Sequence, residues 1–301
     1  MSLAVWFRVI RIKFLLSSVI AVSLGLTLSY WQRQELDVIH AAITLGGVIA
    51  LHASVDLLND FWDYKRGIDA ITKKTKFSGG TGVLPEGLLK PSRVYMAGVI
   101  FLILGSAAGV YFVVSYGWVI AAILGFAILS IYFYSTKIVD SGLGEIFVGI
   151  KGTMIVLGTA YIQTQTILLQ NVAAGIIVGT LSAFVLYITS FPDHDADKEK
   201  GRKTLVIVLG KKRAASIFWA FPIIVYLIII GGSAIGMFSL FCFIAFATIP
   251  LVIKAGLRMK QSLDDIDKFV PIMRSTLLFS RITGALFIVG FLIQMIQFLN
   301  D

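Results

Sequence analysis

One cysteine, Cys242, and three histidines are all that the 301 residues offer for disulfide or soft-metal chemistry. A single thiol excludes internal disulfides, four-cysteine zinc sites and cysteine-ligated iron–sulfur clusters. Charge is scarce too: Asp, Glu, Lys and Arg make up 14% of the chain, against about a quarter in a soluble domain. With so little charge, a water-soluble globule is set aside. What is present is apolar surface, 57% of residues, including 22 Phe, at a mean hydropathy of +0.89. That composition predicts a polytopic helical membrane protein.

A helix rises about 1.5 Å per residue and the hydrocarbon core is about 30 Å thick, so a span needs roughly twenty apolar residues. Nine runs of this kind lie near 14–31, 38–58, 94–114, 118–134, 143–163, 172–189, 214–232, 237–254 and 275–299. Lipid offers no partner to an open strand edge, so all nine are expected as helices. The predicted fold is all-α: a single intramembrane domain over residues 1–301, a bundle of nine transmembrane helices with cytoplasmic cap loops at about 59–93 and 190–213. The first run follows Arg8, Arg11 and Lys13 as a signal peptide would. It is long, ends in Tyr30 and Trp31 and has no small-residue cleavage site, and is kept as a span. Placing the N-terminus in the cytoplasm puts 23 of the 26 Lys and Arg on that side, leaves Arg33 outside, and sets Lys151 and Arg281 within or at the edge of spans. This is the positive-inside pattern. An odd number of spans then leaves the C-terminus outside. Orientation accounts for the net charge of +9, and no nucleic acid is expected as a partner.

Acidic residues contribute little to topology, so their positions carry other information. Asp56, Asp60, Asp63 and Asp69 follow the second run, and Asp193, Asp195 and Asp197 follow the sixth. Both groups fall on the cytoplasmic side. If the second helix continues, Asp56, Asp60 and Asp63 share a face with Asn59 beside them, and Asp193 and Asp197 repeat the spacing of four. Like charges stacked this way repel. With no cysteine or histidine cluster nearby, the counter-ion expected is the hard, oxygen-seeking Mg²⁺. Mg²⁺ commonly shares one or two carboxylates with a substrate phosphate, so two such clusters among Lys and Arg describe a site for a diphosphate. The competing readings are helix ends paired with basic loops, and a cation path through the membrane.

The motifs resemble those of the UbiA superfamily of intramembrane prenyltransferases over nearly the whole chain, the count of nine spans included. NDFWDYKRGID, from Asn59 to Asp69, is similar to the family's NDxxDxxxD, except that Gly67 stands at the last aspartate position and Asp69 comes two residues later. GGTGVLPEGLL, from Gly79 to Leu89, and FPDHDADKEKGRKTL, from Phe191 to Leu205, resemble the naphthoquinone branch, the latter its DxxxD followed by G(K/R)xTL. GLGEIFVGI and VLGTAYIQT, within Gly142 to Thr164, look like the naphthoate-prenylating branch as well. The 4-hydroxybenzoate, haem-farnesylating and archaeal ether-lipid branches usually carry an Arg-Pro element after the first motif, and none stands between Asp69 and Arg93. Lys151 departs from the branch pattern and takes no role from it.

The resemblance implies that Asn59, Asp60 and Asp63, with Asp69 of the same motif, hold one Mg²⁺ and that Asp193 and Asp197 hold a second. The diphosphate of an allylic prenyl donor would bridge the two. Asp56 and Asp195 stand as helpers, although Asp195 would face elsewhere on a regular helix. Lys137, close to Tyr134, resembles a position that contacts the diphosphate. Arg66, Lys73 and Lys203 are further cationic candidates, each weighed against a plain topology charge. The carbocation left by ionisation must be kept from water, for which Phe61, Trp62, Tyr64 and Tyr134 are candidates, each also explicable as packing. Glu145 is the candidate for orienting the acceptor ring, against a pairing with Lys151. His52 is read either as a proton relay or as a hydrogen-bonded core histidine, His194 as a solvated loop residue, and Arg281 as snorkelling or paired.

The function so implied is transfer of a polyprenyl group from its diphosphate to an aromatic acceptor, 1,4-dihydroxy-2-naphthoate, with loss of carbon dioxide, in menaquinone biosynthesis. Expected partners are the two substrates and membrane lipid, with no obligate protein partner evident and an apolar tunnel for the tail. Another quinone precursor or a lipid glycerol phosphate as acceptor is the nearest alternative. A cation-coupled transporter is the rival from another class.

Overall fold

The computed structural model describes residues 2–300, with side chains through 297. A short α1 (Leu3–Val9) leads into α2 (Leu16–Arg33), α3 (Val38–Lys65), α4 (Pro91–Tyr116) and α5 (Trp118–Phe133), the last running on through a π turn (Tyr134–Ile138) and a 3₁₀ turn (Val139–Ser141). Then come α6 (Gly144–Thr164), α7 (Leu169–Glu199), two short helices α8 (Leu205–Leu209) and α9 (Lys211–Ile217), and α10 (Ala220–Ala234). A 3₁₀ segment (Leu240–Thr248) precedes α11 (Ile249–Met259), and α12 (Ile266–Asn300) closes the chain. Local chemistry sets the ends: Asp37 caps α3 by accepting the His40 N–H at 2.9 Å, and Pro91 opens α4 where a missing N–H costs nothing.

Eight helices among the described residues are long and apolar enough to cross a membrane. The ninth expected span, α2, is 18 residues long, about 27 Å, but is diluted by serines, a threonine and its polar last turn. It survives as an inner helix by returning hydroxyls to its own backbone, Thr27 to Ser23 O and Ser29 to Gly25 O, both at 2.8 Å. Large apolar side chains such as Val114 and Trp118 are about 80% exposed, the surface of a protein solvated by lipid. This is an all-α, multi-pass integral membrane protein.

The structure moves several expected boundaries. α3 and α7 run past their apolar stretches, to Lys65 and Glu199, because the acids there turn inward: Asp60, Asp63 and Asp197 are buried. The seventh run divides into α9 and α10 around Phe218 and Trp219. The last helix begins at Ile266, upstream of the apolar run, and carries Pro271 inside it.

Both ends of the bundle are cross-linked. At one end Gln32 donates to Asn171 (2.6 Å), Arg33 to Thr164 O, and Asp37 accepts at its own O from Gln163 (3.1 Å). At the other, Arg8 forms a two-pronged pair with Glu86 at 2.7 and 2.8 Å, and Gly79 N–H reaches Asp193 at 3.3 Å. α6 and α7 meet backbone to backbone, since a Cβ on Gly152 would sit 2.8 Å from Gly179 Cα; small residues permit this approach in a bilayer. Phe184 and Tyr187 of α7 with Phe218, Phe221 and Phe279 form the aromatic centre of the second half.

Candidate active site

The two acidic motifs end α3 and α7 at the same end of the bundle, and the loop between α3 and α4 folds back over both. Thr81 donates from N–H (3.2 Å) and Oγ1 (2.9 Å) to the two oxygens of Asp60, while Gly79 N–H donates to Asp193. Gly80 stands at φ +71°, where an added Cβ would run into the Asp69 carboxylate. The loop closes there because that position is glycine.

Beneath it lies a cavity of about 240 Å³ whose walls include Arg11, His52, Asp56, Asn59, Asp63, Tyr134, Lys151, Asp193, Asp197 and Arg202. Asp63 and Asp193, 130 residues apart in sequence, share this one space. Asn59 donates to Asp63 at 3.0 Å and accepts from Ser135 at 2.9 Å. Asp60 and Asp69 lie behind the wall, buried. Arg202 bridges the motifs, donating to Asp63 and, at 3.2 Å, to Asp197. Burial works against its charge, yet Asp63 and Asp197 hold its pKa above the ordinary arginine value. Arg11, 3.7 Å from Asp60, is held up in the same way against burial by Asp60, Asp56 and Asp63. Burial, then the charges of Asp63 and Asp60, pushes Asp69 up to about 7.

The unpaired atoms have opposite signs. Asp56 Oδ2, Asp69 Oδ2 and Asp193 Oδ1 are buried acceptors without hydrogen-bond partners, and Arg11 Nε and Arg202 Nε are buried donors without partners. Among the described residues no three His, Cys, Asp or Glu side chains are gathered as a ready metal cage. Paired carboxylates with spare oxygens suit Mg²⁺, which keeps waters and shares ligands with a phosphate, and the spare guanidinium donors suit that phosphate's oxygens. The residues present therefore fit a metal–diphosphate unit.

Several expected contacts lie elsewhere. Lys73, Lys137 and Lys203 are exposed and do not line the cavity; Lys137 lies 5.2 Å over the Phe133 ring. Arg66 is taken up by Asp140, Ser135 O and Lys200 O, at 2.8 to 3.3 Å, and staples the ends of α3 and α7 together. Glu145 is buried at the start of α6, does not line the cavity, and leaves its Oε1 without a hydrogen-bond partner. Of the four aromatic candidates, Tyr134 alone lines it. Asp195 points outward to His194 (2.7 Å) and Lys211 (3.0 Å), as its helical phase requires. His52 is hydrogen-bonded with Ser18 at 2.7 Å and lies 3.8 Å from Asp56. Arg281 donates to Lys13 O at 2.8 Å.

Arg11 and Arg202 are the cavity side chains that charge counting missed. Both stand in basic clusters that the positive-inside rule already explains, so nothing in composition separates them from their neighbours. The one available signal was the position of Arg202 inside the second motif.

An apolar groove of about 110 Å³ between α3, α4, α5 and α6 is lined by Val48, Leu51, Ile120, Leu124, Met154 and Ile155 among others, and Lys151 borders both it and the polar cavity. The charged cavity and the apolar groove thus share Lys151 as a wall residue.

A sequence profile described as "UbiA prenyltransferase family" matches residues 18–280. The chain is 28% identical to 1,4-dihydroxy-2-naphthoate octaprenyltransferase of Bacillus subtilis, covering 93% of this chain and 89% of that one, and 25% identical to the Escherichia coli protein of the same name, covering 95% and 94%. In fold it is similar to a UbiA homologue from Aeropyrum pernix (TM-score 0.68, 16% identity, 94% and 98% covered). It is similar also to one from Archaeoglobus fulgidus solved with GPP and Mg²⁺ (TM-score 0.60, 15% identity, 94% and 99% covered). With the profile spanning most of the sequence and a bundle of matching shape, the chain belongs to the UbiA prenyltransferase family.

Proposed function

We propose that this enzyme transfers a polyprenyl group from an allylic diphosphate to 1,4-dihydroxy-2-naphthoate. The observation that carries the proposal is the single cavity walled by carboxylates of both acidic motifs, with Lys151 as a wall shared with an apolar groove. The names of the relatives with 25–28% identity support the acceptor, and the Archaeoglobus homologue's GPP and Mg²⁺ support the donor class and the metal.

Asn59, Asp63, Asp193 and Asp197 would hold Mg²⁺, with Asp60 and Asp69 behind them. When bound there, Mg²⁺ neutralises the departing diphosphate, whose charge grows as the C–O bond breaks. Arg11 and Arg202 turn their free Nε–H groups to the diphosphate oxygens. Tyr134 and the glycine loop keep water from the allylic cation. The ring carbon bearing the carboxylate then forms the new C–C bond, and loss of carbon dioxide returns an electron pair to the ring. The groove takes the tail; each buried CH₂ contributes about 0.8 kcal/mol. Basic loops and both motifs face the cytoplasm, with the C-terminus outside.

The test is diphosphate release and prenyl-naphthoate formation with several donors, with Mg²⁺ or chelator, in the parent, Asp60→Ala and Asp197→Ala. Loss of product in both variants and with chelator is expected. Full activity in both variants would overturn the site, and release without transfer to any ring would overturn the acceptor.

A further inference from the structure

Lys151 stands inside α6, seven residues after its first residue and so about 10 Å along the helix from Gly144. A lysine at that depth is costly unless it is paired or used. Among the described residues its ammonium has no hydrogen bond and no carboxylate within 4 Å, and the charge that acts on it is that of Asp56. It is the one charged side chain bordering the apolar groove, and it also borders the polar cavity. Asp56 Oδ2 and Ser130 Oγ, in the wall of the polar cavity, and Thr44 Oγ1, in the wall of the groove, are buried without hydrogen-bond partners.

The donor's own geometry says what belongs there. On the functional reading above, its diphosphate lies at the end with Arg11, Arg202 and the acidic motifs and its tail lies in the groove, so the allylic carbon that joins head to tail falls between them, on the side where Lys151 borders both. The acceptor must bring its ring to that carbon. Of the other three cations in the cavity wall, Arg11 and Arg202 lie among the acidic motifs and Arg281 donates to Lys13 O, which leaves the Lys151 ammonium for a second anion.

We propose that Lys151 is an acceptor-binding residue, holding the carboxylate edge of an acidic hydroxy-aromatic ring against the allylic carbon, with Ser130 and Asp56 available to the ring hydroxyls. This rests on the functional reading above. The ammonium selects carboxylated rings over neutral ones, because leaving it unpaired in a largely apolar neck costs binding energy that a neutral ring cannot return.

The experiment uses the full chain with Mg²⁺ and geranyl diphosphate, and compares parent, Lys151→Met and Lys151→Arg on 1,4-dihydroxy-2-naphthoate and on 1,4-dihydroxynaphthalene. Lys151→Met is expected to raise KM for the carboxylated ring tenfold or more. Its KM for the neutral ring and for the donor should stay within twofold of the parent, and Lys151→Arg should retain part of the preference. In the parent alone, 2-naphthoate should inhibit competitively against the acceptor and naphthalene should not, a readout that survives if Lys151→Met fails to fold. An equal loss on both rings would make Lys151 a mere balance for Asp56. A rise in donor KM would make it a diphosphate contact, and equal inhibition by both naphthalenes would remove carboxylate selection; each overturns the assignment while leaving the transferase reading intact. A parent that prenylates neither ring removes both together.

Discussion

Arg202 is the hinge of the site's electrostatics, and removing it separates what the fold needs from what the chemistry needs. Its guanidinium is buried between Asp63 and Asp197, carboxylates contributed by α3 and α7. In Arg202→Met the packing volume is largely kept while two buried carboxylates lose their shared cation. Breaking a buried pair from one side costs about 3–5 kcal/mol, chiefly the desolvation of the charge left behind. In chelator the variant should therefore unfold at a clearly lower denaturant midpoint than the parent. Mg²⁺ should reverse much of this, since a ligand at a hundredfold excess over its Kd contributes about 2.7 kcal/mol. In the parent the same ion must compete with Arg202 for Asp63 and Asp197, so its effect there should be smaller. The assay is denaturation of the detergent-solubilised chain followed by tryptophan fluorescence, in chelator and across a Mg²⁺ titration. A triple variant, Asp63→Asn, Asp197→Asn, Arg202→Met, should lose less than the single one, because no charge is then left alone. Equal midpoints for parent and Arg202→Met in chelator, or a Mg²⁺ response no larger in the variant, would refute the reasoning.

Glu145→Gln is expected to leave acceptor KM unchanged and to cost about 0.3–1 kcal/mol, the worth of a negative charge at a helix start; a tenfold rise in acceptor KM would return Glu145 to the acceptor site. Gly152→Ala places a Cβ 2.8 Å from Gly179 Cα and should cost about 1–3 kcal/mol by forcing α6 from α7, read as a lower unfolding midpoint with donor KM nearly unchanged. The Arg8 and Lys74 hydrogen bonds hold Glu86 down to about 2, well below the usual carboxylate range. A depressed acid stabilises fully above its unfolded pKa, so the clamp between the N-terminal segment and the loop should hold down to about pH 4.5 and be lost as pH falls toward 2. Limited proteolysis by pepsin across that range should show increasing cleavage near the N-terminus in the parent; identical profiles for the parent and Glu86→Gln would deny the clamp a role.

The bundle was legible because lipid simplifies the code. Long apolar runs must be helices, and their number and order follow from length alone. The acidic motifs were legible for a related reason: Asp60, Asp63, Asp193 and Asp197 have no topological purpose and stood out against an apolar background. Basic residues carried no such contrast. Lys73, Lys137 and Lys203 look, in sequence, like Arg11 and Arg202, because all serve the positive-inside rule, and only the fold of the loop over the cavity separates the two that turn inward. Helix ends failed for the converse reason. Hydropathy stops α3 near residue 58 and α7 near 189, whereas the helices continue for about two and about three further turns because their polar residues are solvated by protein instead of lipid. Glu145 shows the limit of arguing from cost alone: an intramembrane acid is expensive, but a helix N-terminus can offset the cost without any substrate.

If the cavity takes Mg²⁺ and a diphosphate, the charges around it favour entry of the two as one unit. Four carboxylates, of Asp56, Asp63, Asp193 and Asp197, line it against four cations, Arg11, Lys151, Arg202 and Arg281, with Asp60 and Asp69 behind. The cluster is thus close to balanced, leaning negative. A diphosphate alone would add several negative charges to a buried acidic site, and divalent ions alone would add positive charge beside Arg11 and Arg202; either step is penalised where the dielectric is low. Entering together they nearly cancel. Because such coupling is reciprocal, each would tighten binding of the other, and the cations that made the site look overcrowded in sequence would oppose binding of a bare metal ion in the absence of substrate.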